Sequence, residues 1–228
     1  MIIISFEYKE KISLPMHVVE IYLRLGTKYH MKEFRTQAVK RLSYEFPATL
    51  EEVDAMDNYS RIDRCTPYVD EIFTVINLGR SCNLPRVLPW AFTAACELVS
   101  IKDIFRETGP TLSREDQQIC MVGWRRLLKK QRVTTFGWLT TGNDACSVSS
   151  CRSARHKLLV SRLLPSKYPS GIDLECMPLA GWEAEWEENL CGRCTTVARA
   201  SHQTGRQKMW DALPSIFDLP EWEELIKP

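Results

Sequence analysis

Apolar residues recur every three or four positions through most of the chain, the period of helices with one buried face. After Pro15, the residues Val18, Ile21, Tyr22 and Leu25 set such a stripe, and the helix they predict runs through Gly26 to Tyr29. His30 falls at its end, where a left-handed residue is useful and His tolerates that conformation better than most. A second helix follows, with Phe34, Ala38, Leu42 and Phe46 inward and Lys32, Arg35, Lys40 and Arg41 outward; Pro47 stops it. Tyr68 to Leu78 predicts a third, with Pro67 at a first-turn position and Val69, Ile72, Phe73 and Ile76 apolar. Pro85 and Pro89 precede a helix over Trp90 to Val99 that is apolar nearly all round and so belongs at the centre of a core.

Gly109-Pro110 is a break. Ser113, with Asp116 three residues on, approximates a capping box and opens the longest predicted helix. Its apolar positions are Ile119, Val122, Leu127, Val133, Phe136 and Leu139, and Gly142-Asn143-Asp144 stops it. Cys151 to Leu164 reads as a further helix and Pro165 to Gly181 as a loop. The next helix opens on Glu183, Glu185, Glu187 and Glu188, acids that suit a helix N-terminus, with Trp182, Trp186 and Leu190 on one face. In the C-terminal stretch Pro214 and Pro220 should start short helical turns, and Phe217, Leu219, Trp222 and Leu225 should dock the tail on the helical body. Met1 to Tyr8 alone reads as a strand, with no partner strand in view. The fold class is therefore all-α: an irregular multi-helix bundle with a short strand-like segment at its N-terminus.

Length and composition narrow the reading. At 228 residues the chain suits one domain or two small ones, and 44% apolar with 26% charged residues is ordinary for a soluble globular protein. A net charge of +1 supplies no global field for nucleic acid or an anionic membrane. The longest apolar run, at Met1 to Phe6, is too short to span a bilayer and lacks the basic start and cleavage site of a secretory signal. The nine cysteines, an odd number, accordingly read as reduced thiols of an intracellular protein, cytoplasmic or nuclear.

Four of these cysteines carry the most chemistry. Cys146 and Cys151 lie in a loop and the helix start after it, and Cys191 and Cys194 form a C-x-x-C pair. Structural zinc takes four thiolates in tetrahedral geometry and pairs two short chelating motifs, so the quartet is a candidate site for one structural zinc ion. His156, His202 and Cys176 are spare ligands. Two other readings stay open: buried thiols that pack and tie helices together without metal, and a thioredoxin-like redox motif at Cys191-Gly-Arg-Cys194. The redox motif needs its first cysteine at a helix N-terminus in a βαβ setting, whereas the predicted helix places the pair two turns inside.

The one basic cluster puts Arg125, Lys129 and Arg132 on a single helical stripe beside Trp124, where phosphates could be met. A solvated face opposite the Leu127 side, paired with the acids near Glu183, is the plainer account. No hydrolase, kinase, P-loop, dinucleotide-binding or zinc-protease motif occurs, and neither His17 nor His30 has a partnered nucleophile. No catalytic residue is expected.

Lys28-Tyr29-His30-Met31-Lys32-Glu33-Phe34-Arg35, followed by Ala38 and Leu42, resembles the last helical hairpin of a BTB/POZ domain. Phe46 to Glu52, the Leu-Ser-x-Glu-Asp-Gln run at Leu112 to Gln117, Glu187 to Cys194, and the ending at Leu213 to Leu225 resemble segments of fungal BTB-domain proteins of the basidiomycete type. The resemblance implies a remnant of the BTB C-terminal helices over residues 1–46 and a helical region with a cysteine-containing loop over 47–228. It implies a non-enzymatic protein–protein interaction role, as a BTB-like adaptor or scaffold; some family members serve cullin-type ubiquitin ligases or act as transcriptional co-regulators. A BTB core needs on the order of a hundred residues, so BTB-type dimerisation is not carried over. Protein partners are expected, and neither membrane nor nucleic acid. The competing functions are a zinc-stabilised nucleic-acid-binding module and a thiol redox protein.

Overall fold

Proline, glycine and capping side chains set the element boundaries in the computed structural model, which describes residues 13–56, 60–63, 68–142, 146–163 and 176–227. The chain divides into two compact units, one comprising residues up to Met121 together with Phe217 onward, the other Val122 to Ile216. Helices dominate both. No helix among the described residues is long and apolar enough to cross a membrane. The strand expected at Met1 to Tyr8 lies outside the described residues.

In the first unit, β1 (Leu14–Pro15) and β2 (Ile62–Asp63) pair in parallel, a two-residue contact too short for sequence periodicity to show. Helix α1 (Met16–Lys28) and α2 (Lys32–Glu45) form the expected hairpin, and His30 takes the left-handed conformation at φ 54°. The buried face of α1 is not the one expected: Met16, Val19, Leu23 and Gly26 turn inward while Ile21 is 49% exposed. Gly26 explains the rotation. A Cβ there would lie 2.5 Å from the Arg35 backbone nitrogen, so α1 approaches α2 through its smallest residue. Tyr22 and Phe34 stack beside that crossing, ring centroids 4.8 Å apart. Arg41, expected outward, is buried and donates to the side chain and carbonyl of Gln37.

Helix α3 (Leu50–Asp54) was not foreseen as a helix, although Thr49-x-x-Glu52 is a full capping box. Helix α4 (Tyr68–Ser81) leads through a 3-10 turn (Pro85–Val87) to α5 (Leu88–Leu98). As its composition predicts, α5 is buried from Leu88 to Cys96 except at Trp90, which is partly exposed. After α6 (Ile101–Ile104), α7 (Arg114–Gln131) starts on Ser113, whose hydroxyl accepts from the Asp116 N–H at 3.0 Å. Asp116 is buried and also takes two donations from Arg80, at 2.9 and 3.1 Å. The tail docks in this unit, with Phe217 stacked on Phe92 at 5.4 Å and Leu225 buried in α11 (Trp222–Leu225).

The unit boundary falls inside α7, which ends at Gln131 and not near Leu139. The β-branched run Val133-Thr134-Thr135 forms turns that lead to α8 (Trp138–Thr141). Of the apolar positions assigned to that helix, Val122 and Val133 are exposed, while Leu127, Phe136 and Leu139 are buried. Next come α9 (Ser149–Leu163), a 3-10 turn (Ala184–Glu187) and α10 (Gly192–Ile216), the longest element. Pro214 starts no turn of its own and sits in the last turn of α10, where it withdraws one N–H donor. Leu213 and Ile216, which flank it in that turn, are buried. The core here is aromatic: Phe136, Trp138 and Trp186 pack with Leu139, Leu163 and Ala198, and Trp182 joins Trp186 edge-on at 5.4 Å.

Candidate metal centre

Two helix N-termini build the site. Cys146 lies in the segment before α9 and Cys151 in that helix's first turn; Cys191 immediately precedes α10 and Cys194 sits in its first turn. The helix expected to open at Glu183 is a single 3-10 turn, broken at Asn189 with φ 64°. That break moves Cys191 from a helix interior to a helix start. Both pairs thus lie where aligned peptide dipoles favour a thiolate. Ser150 donates to the Asn189 carbonyl at 3.1 Å and fastens one cysteine segment to the other.

The four sulfurs lie within 4.8 Å of one another, and Cys146 Sγ and Cys191 Sγ are 3.9 Å apart. A tetrahedral zinc tetrathiolate has metal–sulfur bonds of about 2.3 Å and therefore sulfur–sulfur edges of about 3.8 Å. The Cys191 N–H donates to Cys151 Sγ at 3.2 Å, a backbone bond that orients the sulfur. Cys151 and Cys194 are buried and Cys146 and Cys191 half-buried. The eight cysteines among the described residues are reduced, and Cys176, His156 and His202 stand outside the cluster.

Ionisation in the cluster is uneven. The Cys194 backbone N–H, pointed at the Cys191 sulfur, brings that thiol down to about 7, helped by the side chains of Cys194, Cys151 and Cys146. Burial, with the neighbouring sulfurs adding to it, pushes Cys194 up to about 12. Four sulfurs this close cannot all carry negative charge unless a cation joins them, and a divalent metal supplies that charge. The donor set fits a soft tetrahedral ion.

His202 is a core residue. Its Nδ1 lies 2.8 Å from the Thr135 carbonyl oxygen and its Nε2 3.0 Å from that of Ala180; burial pushes its pKa down. Trp186 and Trp182 contact its ring edge-on, at 5.2 and 5.5 Å. The acids near Glu183 pair locally: Glu183 with Arg162, and Glu187 with Arg199 and with the Trp182 N–H at 2.8 Å. They do not pair with the α7 cluster, where Arg125, Lys129 and Arg132 are exposed above buried Leu127 and Leu128.

The sequence signal therefore located all four sulfurs but misplaced the Cys191 pair along its helix. No family model, no curated protein and no solved structure matches the chain.

Proposed function

We propose that the chain is a non-enzymatic interaction protein, an adaptor or scaffold, in which one structural zinc ion held by Cys146, Cys151, Cys191 and Cys194 fixes the start of α9 against the start of α10. The observation that carries this reading is the mutual approach of four sulfurs within 4.8 Å. Four protein ligands close the coordination sphere, and structural zinc sites are closed while catalytic ones keep an open position. Such a site supplies folding free energy and no reaction centre. Arg152 and Arg193, each beside a ligand in sequence and exposed, offset the double negative charge of a zinc tetrathiolate.

The interaction role follows the resemblance to fungal BTB/POZ proteins, and the α1–α2 hairpin with left-handed His30 supports it. Zinc analysis of the purified chain tests the metal, with about one equivalent expected. Cobalt substitution tests the role. A tetrathiolate cobalt spectrum that added azide leaves unchanged is the expected result; a shift on azide reveals an open position and overturns the non-enzymatic reading.

A thiol redox role is the second reading. Cys191 at a helix start satisfies one of the two structural requirements that the sequence reading denied it. Stoichiometric metal bound through all four sulfurs removes it, because ligated thiolates do not cycle through a C-x-x-C disulfide.

A further inference from the structure

A groove of about 1140 Å³ runs through the first unit, between α2, α3, the 82–87 segment and the residues around α11. Five cations line it, Lys32, Arg35, Lys40, Arg86 and Lys227, against two carboxylates, Glu52 and Glu224. The Glu52 carboxylate is already committed, accepting the Ala48 and Thr49 N–H groups at 2.9 and 3.2 Å. This positive charge is local. Outside residues 122–216 the chain carries 16 Lys and Arg against 21 Asp and Glu, so a net-acidic unit gathers cations on one face.

Two details suggest a ligand. Arg86 Nε is buried and finds no hydrogen-bond partner among the described residues. A cationic donor left unpaired away from water is costly, and a carboxylate bound on the Arg86 guanidinium would offset that cost electrostatically. Arg35 is held rigid by the Cys82 and Asn83 carbonyls, at 3.1 and 3.3 Å, and by the Thr27 hydroxyl at 2.8 Å, so its charge is fixed at the wall. An apolar strip of Val39, Leu84 and Ile226 shares the lining, and Ile226 is 50% exposed.

We infer that this groove binds an acidic peptide segment of a partner protein, its carboxylates on Arg86 and Lys32 and an apolar side chain on the strip beside Ile226. Charge complementarity selects the occupant. Arginine forks match carboxylates two bonds at a time, and the apolar strip gives a peptide side chain a place that a sugar-phosphate backbone would leave unused. The inference rests on the interaction reading above and is independent of the metal.

The test uses the full chain with a fluorescein-labelled Glu/Leu peptide, its Gln/Leu counterpart and a labelled single-stranded oligonucleotide. Anisotropy reads affinity and hydrogen exchange reads location. The expected result is binding of the Glu/Leu peptide that weakens with salt, protection of α2 and residues 83–86, and about a tenfold loss in each of Arg86→Glu and Lys32→Glu at unchanged melting temperature. Lys32 is exposed at the first turn of α2, so its variant keeps the test open should Arg86→Glu fail to fold. Equal binding of the Gln/Leu peptide, indifference to charge reversal, or tighter binding of the oligonucleotide overturns the inference. Protection confined to another surface overturns the groove and leaves the interaction reading standing; no peptide binding at any charge counts against both.

Discussion

Replacing Gly205 with Ala should destabilise the second unit, although helix propensity alone says the opposite. Gly205 lies in the middle of α10, where glycine costs about 1 kcal/mol relative to alanine. A Cβ built there would stand 2.2 Å from the Thr134 carbonyl oxygen, 2.6 Å from its carbon and 3.0 Å from the Thr135 nitrogen. These are backbone atoms, which cannot rotate aside, and favourable carbon contacts begin near about 3.5 Å. Overpacking of this kind costs about 1–3 kcal/mol, and a backbone obstacle belongs at the upper end. After the propensity gain, the net loss is about 2 kcal/mol. For a chain of this size that lowers the melting temperature by about 4–8 °C. The same crossing holds His202 against the Thr135 carbonyl at 2.8 Å, so near-ultraviolet circular dichroism from the Trp182–Trp186–His202 group should weaken as well. Gly192→Ala is the control: nothing lies within 4 Å of that Cβ, and the change should stay within about 0.5 kcal/mol. A melting temperature that rises in Gly205→Ala would refute the argument, because it would mean that the helix yields at the crossing.

Two further outcomes follow from named groups. If the proposed zinc site holds, Cys151→Ala should abolish the zinc equivalent and lower thermal stability as much as chelation of the parent chain does, since Cys151 is both a proposed ligand and the acceptor of the Cys191 N–H; retention of one full equivalent by the variant would show that the metal sits elsewhere. Burial raises the Glu97 carboxyl from its ordinary 4.5 to about 7, so between those pH values the folded chain holds a proton that the unfolded chain has released. Stability is therefore lost as pH rises through that window; Glu97→Gln should remove the slope and add about 1–2 kcal/mol at pH 8, and denaturant titrations across pH that keep the parent slope would discard the assignment.

What the sequence made legible was local. The α1–α2 hairpin, the left-handed His30, the buried α5 and the Ser113 cap each depend on neighbours within a turn or two, and each was found where expected. The quartet was legible because thiolate chemistry restricts which residues can serve. What failed depended on distant partners. Which face of α1 is buried is decided by the approach of Gly26 to Arg35, so Ile21 lost its expected place. Pro214 reads as a breaker in isolation, yet one missing N–H in a last turn is a small loss against the burial around it. The acids after Glu183 promised a helix, but Asn189 in a left-handed conformation turned the chain before Cys191 and so made the sulfur geometry possible. Thr49-x-x-Glu52 was readable in principle, because its capping box needs no tertiary partner.

The forty-residue separation of Cys151 and Cys191 bears on how the chain assembles and how it can vary. Bringing two points that far apart together costs about 3 kcal/mol of chain entropy, so neither half-site captures metal strongly until the aromatic core has closed most of the distance. Uptake of the proposed ion would then report completed assembly of the whole unit, and a short synthetic segment bearing one pair should bind weakly. Part of the intervening chain is already anchored, since Pro178 accepts the Thr135 hydroxyl. Because the entropic term grows with the logarithm of length, doubling the spacer adds only about 0.6 kcal/mol. Insertions in the stretch after Pro165, read from the sequence as a loop, should therefore be tolerated, while a single residue added inside Cys191-Gly-Arg-Cys194 should not.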